Sequence, residues 1–386
     1  TSFSSLPNSA KRLITYYSIS SVPLVVEILF PIYLFMLGWS LIELGILYTL
    51  AGISNIIGSF IIGHLFDRGV QPKWAMAIID FISSVACIGY AFAKSSLEIT
   101  LIIFFAYLFT PLASAYQTLE KEVYPEKLLE STFSYHMMLP NASQIIGFVF
   151  VGSYLTFFVP SVEGFRHMLF WASSLYFLSF LYIIFMLPRS KKHIYEGFTL
   201  GKIPKKLIGF AIAELVIIFS YSIAPEYILL NFTYNIAYFS VLEICLMLIP
   251  ANIAGVVGSI LSNKFRSSLR GITFSLLMLS VTYISVYVLT YVHANILRIF
   301  IVILFVFVSY QMHTIWFIFH RSLFFRNTPE NIKGTIFGAM LSLRQIVTII
   351  TPIIASLLAI HDPLINFVIS GLLILIAIPI YYKSVK

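Results

Sequence analysis

The stretch Gly58-Ser59-Phe60-Ile61-Ile62-Gly63-His64-Leu65-Phe66-Asp67-Arg68-Gly69 runs apolar until it halts at an acid–base pair. Gly69 and Pro72 turn the chain, Lys73 adds a second positive charge, and another apolar run opens at Trp74. A short charged turn between two long hydrophobic segments is how a helical chain reverses at a membrane surface.

The rest of the chain repeats that pattern. Of its 386 residues 59% are hydrophobic and only 10% charged, against roughly 25% charged in soluble domains. So few charges cannot cover a water-soluble body of this size, and the mean hydropathy of +0.95 agrees. The apolar runs are continuous, which excludes the alternating pattern of a β-barrel. They reach the roughly 20 residues needed to cross a bilayer. Twelve spans are expected, at 11–37, 42–66, 73–93, 98–118, 130–157, 165–187, 205–230, 238–263, 270–291, 296–319, 332–358 and 363–382. The expected class is therefore an all-α membrane protein of twelve transmembrane helices. No cleaved leader is expected, because the first long apolar segment has spanning length.

Charge orients the spans. With the N-terminus on the cytoplasmic side, 20 of the 24 basic residues fall on that side. Lys94, Arg166 and Arg298 lie outside, and Arg344 lies within a span. This asymmetry over short loops is the positive-inside pattern, and it places both termini in the cytoplasm of a cell membrane. The net charge of +8 thus reflects topology and implies no nucleic-acid partner. Cys87 and Cys245 both fall in apolar spans and read as small core residues.

A basic stretch at 188–204, containing Pro188, Gly197, Gly201 and Pro204, divides the chain at its midpoint. It separates an N-terminal bundle at 1–187 from a C-terminal bundle at 205–386, six spans each. The halves echo each other. Pro125-Glu126 before span five matches Pro329-Glu330 before span eleven, an offset of 204 residues. Ile57-Gly58-Ser59 matches Val257-Gly258-Ser259, an offset of 200. Two parallel repeats of six spans form one of the architectures of secondary transporters.

The chain resembles the major facilitator superfamily over nearly its whole length. Gly38-Trp39-Ser40-Leu41-Ile42-Glu43-Leu44-Gly45 resembles the family's turn between helices one and two, and Gly63 with Asp67-Arg68 its signature loop between helices two and three. The two Pro-Glu stretches resemble the entries to helices five and eleven, and Thr351-Pro352 the middle of helix eleven. Gly69 directly follows Arg68, where the family usually has one residue between, and the second-half counterpart Asn263-Lys264-Phe265-Arg266 carries no acid. Subfamily motifs are absent: no arginine in helix four, no Gly-Pro-rich run in helix five, no Glu-x-x-Glu-Arg. The resemblance implies two pseudo-symmetric six-helix bundles, alternating access, and a cavity lined by helices one, four, seven and ten. It also implies a gating role for Gly63, Asp67 and Arg68, with Asp67 bonding the start of span eleven near Asn331 to Thr335. The alternative is that Asp67 only caps its own turn.

An ionisable group at mid-membrane is costly and marks a candidate site. Glu27 lies near the middle of span one, between Pro23 and Pro31. Arg344 lies a dozen residues into span eleven, about 18 Å along the helix. Glu27 is expected to titrate a proton, and Arg344 to pair with it or to anchor an anionic solute group. The bland alternative is a static ion pair that fixes packing. Glu214 divides evenly between cavity and packing. Asp80 is expected to bond a loop or a neighbouring helix.

Gln311, His313 and His320 share span ten, where a hydrogen-bonded structural histidine is favoured over a proton relay or metal pair. Asn141, Gln144 and Gln345 sit at matching depths in spans five and eleven, and suit substrate contact and helix–helix bonding equally. Asn231-Phe232-Thr233 forms a glycosylation sequon expected on an external loop.

No Walker A loop, dinucleotide fingerprint or nucleophile elbow occurs, so no ATP engine and no cofactor is expected. No surface cluster of His or acids suggests a membrane enzyme. The expectation is a monomeric secondary active transporter in the lipid bilayer, moving a small solute and coupled to protons. A facilitated uniporter, or a non-transporting subunit or receptor on the same fold, is the alternative.

Overall fold

A computed structural model describes residues 3–67, 70–189, 205–262, 264–265, 268–329 and 333–385, without side chains over 60–67 and at a few positions near the other gaps. Those residues are helical almost throughout. Eleven segments are long and apolar enough to cross a membrane, and a pair bent by 42° makes a possible twelfth.

The first span is α1 (Asn8–Ile28) continued by α2 (Phe30–Met36). Then come α3 (Leu41–Asp67) and α4 (Pro72–Phe92). The fourth span is the bent pair, α5 (Ser96–Tyr107) and α6 (Ser114–Val123), joined by a 3-10 turn at Thr110–Ala113. The fifth and sixth are α7 (Leu129–Ser153), widened at its end into a π turn, and α8 (Val162–Met186). The seventh is again interrupted, as α9 (Lys205–Ile223) and α10 (Glu226–Asn231). The last five are α11 (Val241–Ser262), α12 (Ser268–Ser285), α13 (Asn295–Asn327), α14 (Lys333–His361) and α15 (Ile365–Val385).

Proline places the interruptions. It has no N–H to return to the carbonyl four residues back, and its ring crowds that carbonyl. Pro31 therefore frees the carbonyl of Glu27, and α1 ends at Ile28. Pro111 does the same to Tyr107, the last residue of α5. Pro225 frees Tyr221, and α9 ends at Ile223. Pro352 stands inside α14 and frees Thr348 without ending the helix.

The repeat is visible at the helix starts. Glu43 Oε2 accepts from the Ser40 backbone N–H at 2.6 Å and from its hydroxyl at 2.8 Å, opening α3 with a capping box. Glu243 and Ser240 open α11 in the same way, at 2.7 and 2.8 Å. Gly38 turns the chain into α3 at φ +88°, a conformation costly for any side chain.

Within the first bundle α1 packs on α7 and α8, α4 on α8, and α3 on α5; within the second, α9 packs on α14 and α15, α12 on α15, and α11 on α13. Two long antiparallel seams join the bundles, α3 against α14 and α7 against α11. Small residues let the backbones approach, as lipid-embedded packing favours. A Cβ on Gly52 would meet the Thr348 carbonyl at 2.9 Å, and one on Gly152 would meet Cys245 Cβ at 2.9 Å.

Asn231 is buried within α10 and accepts from Asn235 Nδ2 at 2.9 Å, so the sequon expected on a loop is part of a packed helix. Cys87 and Cys245 are buried free thiols. Arg68, most of the 188–204 stretch and Asn331 lie outside the described residues, as do the side chains of Asp67 and of 333–335.

Candidate functional site

A cavity of about 320 Å³ lies between the two bundles. The first bundle gives it Glu27, Tyr48, Asn55 and Tyr107; the second gives Ser222, Glu226, Tyr227, Thr348 and Thr351. Of the residues four back from Pro31, Pro111, Pro225 and Pro352, three, Glu27, Tyr107 and Thr348, are in this wall, while Pro23, Pro140, Pro250 and Pro379 stand inside helices without ending them. The fourth, Tyr221, lines a second cavity of about 250 Å³ inside the C-terminal bundle. The helix interruptions thus mark the hollow part of the molecule.

Glu27 is accessible although it stands deep in its span, because it looks into the cavity. The Tyr176 hydroxyl lies within bonding reach of its carboxylate. Among the described residues, no lysine, arginine or histidine lines this cavity. Glu226, the first residue of α10, is half-buried and belongs to the walls of both cavities. Tyr48 and Tyr227 stack across the bundles with centroids 5.3 Å apart. Tyr48 stands within electrostatic reach of both carboxylates.

Arg344 does not pair with Glu27. It bonds Glu214, which is buried between α9, α13 and α14. His320 Nε2 lies 3.2 Å from the other Glu214 oxygen, close enough for attraction but out of line for a hydrogen bond. On its far side His320 Nδ1 bonds the Tyr381 hydroxyl at 2.7 Å, which accepts from Trp316 Nε1 at 2.9 Å. The expected cross-bundle pair is thus replaced by a chain of contacts inside the C-terminal bundle. Its reason is depth: Glu214 and Arg344 meet where α9 packs on α14, while Glu27 stands near the end of α1 in the cavity wall.

The amides fill the seams. Gln345 is buried, donates to Asn55 Oδ1 at 3.0 Å and accepts from Ser59 Oγ at 2.7 Å, so both ends of its amide serve the α3–α14 seam. Asn141 turns back to the Met137 carbonyl at 2.6 Å and lies over Gly255, where a Cβ would collide with its Nδ2. His313 lines the second cavity, edge-on to Tyr221 at 5.3 Å. Gln311 packs its backbone against Gly258. Asp80 accepts from the Tyr16 hydroxyl at 3.0 Å inside the N-terminal bundle, a helix-to-helix bond as expected.

Two further features escaped the sequence reading. Glu226 directly follows Pro225, and an acid beside a mid-span proline is the signal that would have found it. Glu120 and Arg321 are the other: both are buried, in α6 and α13, and lie within electrostatic reach of each other across the bundles. Nearby, Lys121 Nζ donates to the Phe325 carbonyl at 3.0 Å, and Arg326 pairs with Glu130 at 3.3 Å. These bonds tie the bundles together at one end.

The model of the family described as Major Facilitator Superfamily matches residues 15–352. The chain belongs to this superfamily. No curated protein matches it. Among solved structures, a bacterial homologue of the iron transporter ferroportin in an outward-facing state covers 97% of this chain and 99% of its own, with TM-score 0.71 and 13% identity. The human organic anion transporter MFSD10 (TETRAN) covers 96% of this chain and 99% of its own, with TM-score 0.70 and 12% identity. Identities this low carry the fold alone. Transport across a membrane follows from the family, and a small-molecule solute with it.

Proposed function

We propose that this chain is a proton-coupled secondary active transporter that moves a small solute across the cell membrane by alternating access. The bundles at 1–187 and 205–386 rock about the α3–α14 and α7–α11 seams, with both termini cytoplasmic. The observation that carries the reading is the cavity between the bundles, with Glu27 and Glu226 in its wall at paired helix breaks. Discontinuous helices meeting at a midplane cavity are how many secondary transporters hold solute and coupling ion.

Glu27 is the coupling residue in this reading. It is accessible from the cavity and has no basic partner lining it, so its protonation can follow the solution on whichever side the cavity opens. Glu214 is held by Arg344 and serves the packing of the C-terminal bundle. The bonds from Lys121 and Arg326 shut the end of the molecule that carries the termini, which leaves the cavity to open at the opposite face.

The two similar structures suggest two solutes, iron and an organic anion. An anion is a poor match for two carboxylates with no lysine, arginine or histidine in the wall. Among the described residues no three His, Cys, Asp or Glu side chains gather as metal ligands, so an iron site of that kind has no counterpart here.

The test is flux in proteoliposomes against a panel of solutes, with and without a pH gradient. Uptake or extrusion driven by the gradient, and abolished by Glu27→Gln, is the expected result. Flux that ignores the gradient in wild type would replace this reading with a facilitated uniporter.

A further inference from the structure

We infer that the solute is an amphipathic organic cation, with its charged head between Glu27 and Glu226 and its apolar body in the second cavity. The inference rests on the transport reading above and adds the class of ligand.

Three observations lead there. The first is charge. The inter-bundle cavity has two carboxylates in its wall and no side chain that would neutralise either. Each attracts positive charge, and a cationic head placed between them meets both.

The second is aromatic character. Tyr48, Tyr107 and Tyr227 stand in the same wall, and the face of an aromatic ring attracts an ammonium group. A transition-metal ion would instead need a cluster of His, Cys, Asp or Glu ligands, and among the described residues no three of these gather.

The third is the shared wall. Pro225 and Glu226 border both cavities. Beyond Glu226 the wall turns apolar, with Leu229, Leu248, Tyr283, Phe305, Val306 and Phe367. The Tyr221 hydroxyl there is buried with no protein partner, free to bond a polar atom of the ligand body. Its neighbour His313 is the one imidazole in that wall. A ligand bonded to Glu226 at one end can therefore reach into an apolar chamber of about 250 Å³, space for a phenyl ring and a short chain. A head group alone would leave that chamber unused.

Binding to the purified full-length protein in detergent, measured by calorimetry, tests this without requiring transport. Four probes are compared: 4-phenylbutyltrimethylammonium, tetramethylammonium, 4-phenylbutyrate and 4-phenylbutanol. The tailed cation is expected to bind saturably, at least tenfold tighter than tetramethylammonium and than either the anion or the neutral alcohol. Glu226→Gln and, separately, Glu27→Gln are each expected to weaken the tailed cation at least tenfold. Phe305→Ala should weaken the tailed cation several-fold and leave tetramethylammonium unchanged. Using two carboxylate variants guards against one that fails to fold, since each must first elute as a monodisperse peak.

The inference is overturned if 4-phenylbutyrate binds as tightly as the cation, if no probe binds, or if both carboxylate variants keep wild-type affinity. It is also overturned if the tail adds nothing. Gradient-driven flux of some other solute would then still stand, so the two readings fail separately.

Discussion

Glu27 and Glu214 are acids on the first spans of the two bundles, and their surroundings are opposite. Glu27 is accessible at the end of α1 and has no basic side chain in its cavity. Glu214 is buried in α9, bonded to Arg344 and flanked by His320. A buried charge persists only when paired and hydrogen-bonded, so Glu214 is part of the architecture. A charge exposed to a cavity can change its protonation without unfolding anything. The same side chain stands ten residues further along its helix in the first bundle than in the second, nearly three turns, and it is open to a cavity in the first and fixed in packing in the second.

The largest effect expected from this contrast is on Glu214. Removing its charge strands the Arg344 guanidinium, and breaking a buried pair costs about 3 kcal/mol or somewhat more. Arg344 keeps 22% of its side chain exposed, which favours the lower figure. Unfolding in mixed micelles should show that loss for Glu214→Gln. The double variant with Arg344→Gln should recover much of it, since no charge is then left alone. If the single variant were as stable as wild type, the pair would be no part of the packing and the contrast with Glu27 would collapse.

How much of this could be read before the fold was known depends on whether the signal is local. The spans were legible because apolar continuity and loop charge are local properties, and most ends agree within three residues. Four prolines were equally plain, yet Pro111 and Pro225 interrupt spans expected to be unbroken. The physical rule that each frees the carbonyl four residues back would have pointed to Tyr107 and Tyr221 at the cavities. The capping boxes Ser40–Glu43 and Ser240–Glu243 carry the duplication at an offset of 200 more clearly than the glycines do. The partner of Arg344 was not legible. Glu27 and Glu214 both lie in apolar spans, and which of them meets Arg344 depends on how α9, α13 and α14 pack, an arrangement no single span specifies.

The seams repeat the contrast at smaller scale. At equivalent depths Gln345 bonds Asn55 and Ser59 across α3 and α14, whereas Asn141 bonds its own helix and rests on Gly255 across α7 and α11. One seam is fastened by an amide bonded at both ends, and the other by longer contacts of 3.4 Å from Ser134 to the Ser259 carbonyl and the Ser262 hydroxyl. Gln345→Leu leaves Asn55 Oδ1 without its buried donor and should cost about 1 kcal/mol, within the range for such losses in lipid. Asn141→Leu breaks only an intrahelical bond, and should cost a few tenths of that provided its bulk clears Gly255. The same micelle unfolding ranks them. A reversed order would mean that the bundles are held chiefly at α7–α11.

The smallest change in stability is expected where the change in function is largest. Glu27→Gln keeps the size of the side chain and its reach to the Tyr176 hydroxyl. It removes a charge that no cation in the cavity wall offsets. Nothing is stranded by the loss, so unfolding in micelles should shift by less than about 0.5 kcal/mol, the usual range for a substitution away from packed features. Gradient-driven flux, by contrast, should fall at least tenfold. The two measurements on one variant separate a coupling acid from a structural one, because a structural acid moves both together, as Glu214→Gln is expected to do. A large loss of stability with Glu27→Gln would place that residue with Glu214 and shift the coupling role to Glu226, the remaining carboxylate in the cavity wall.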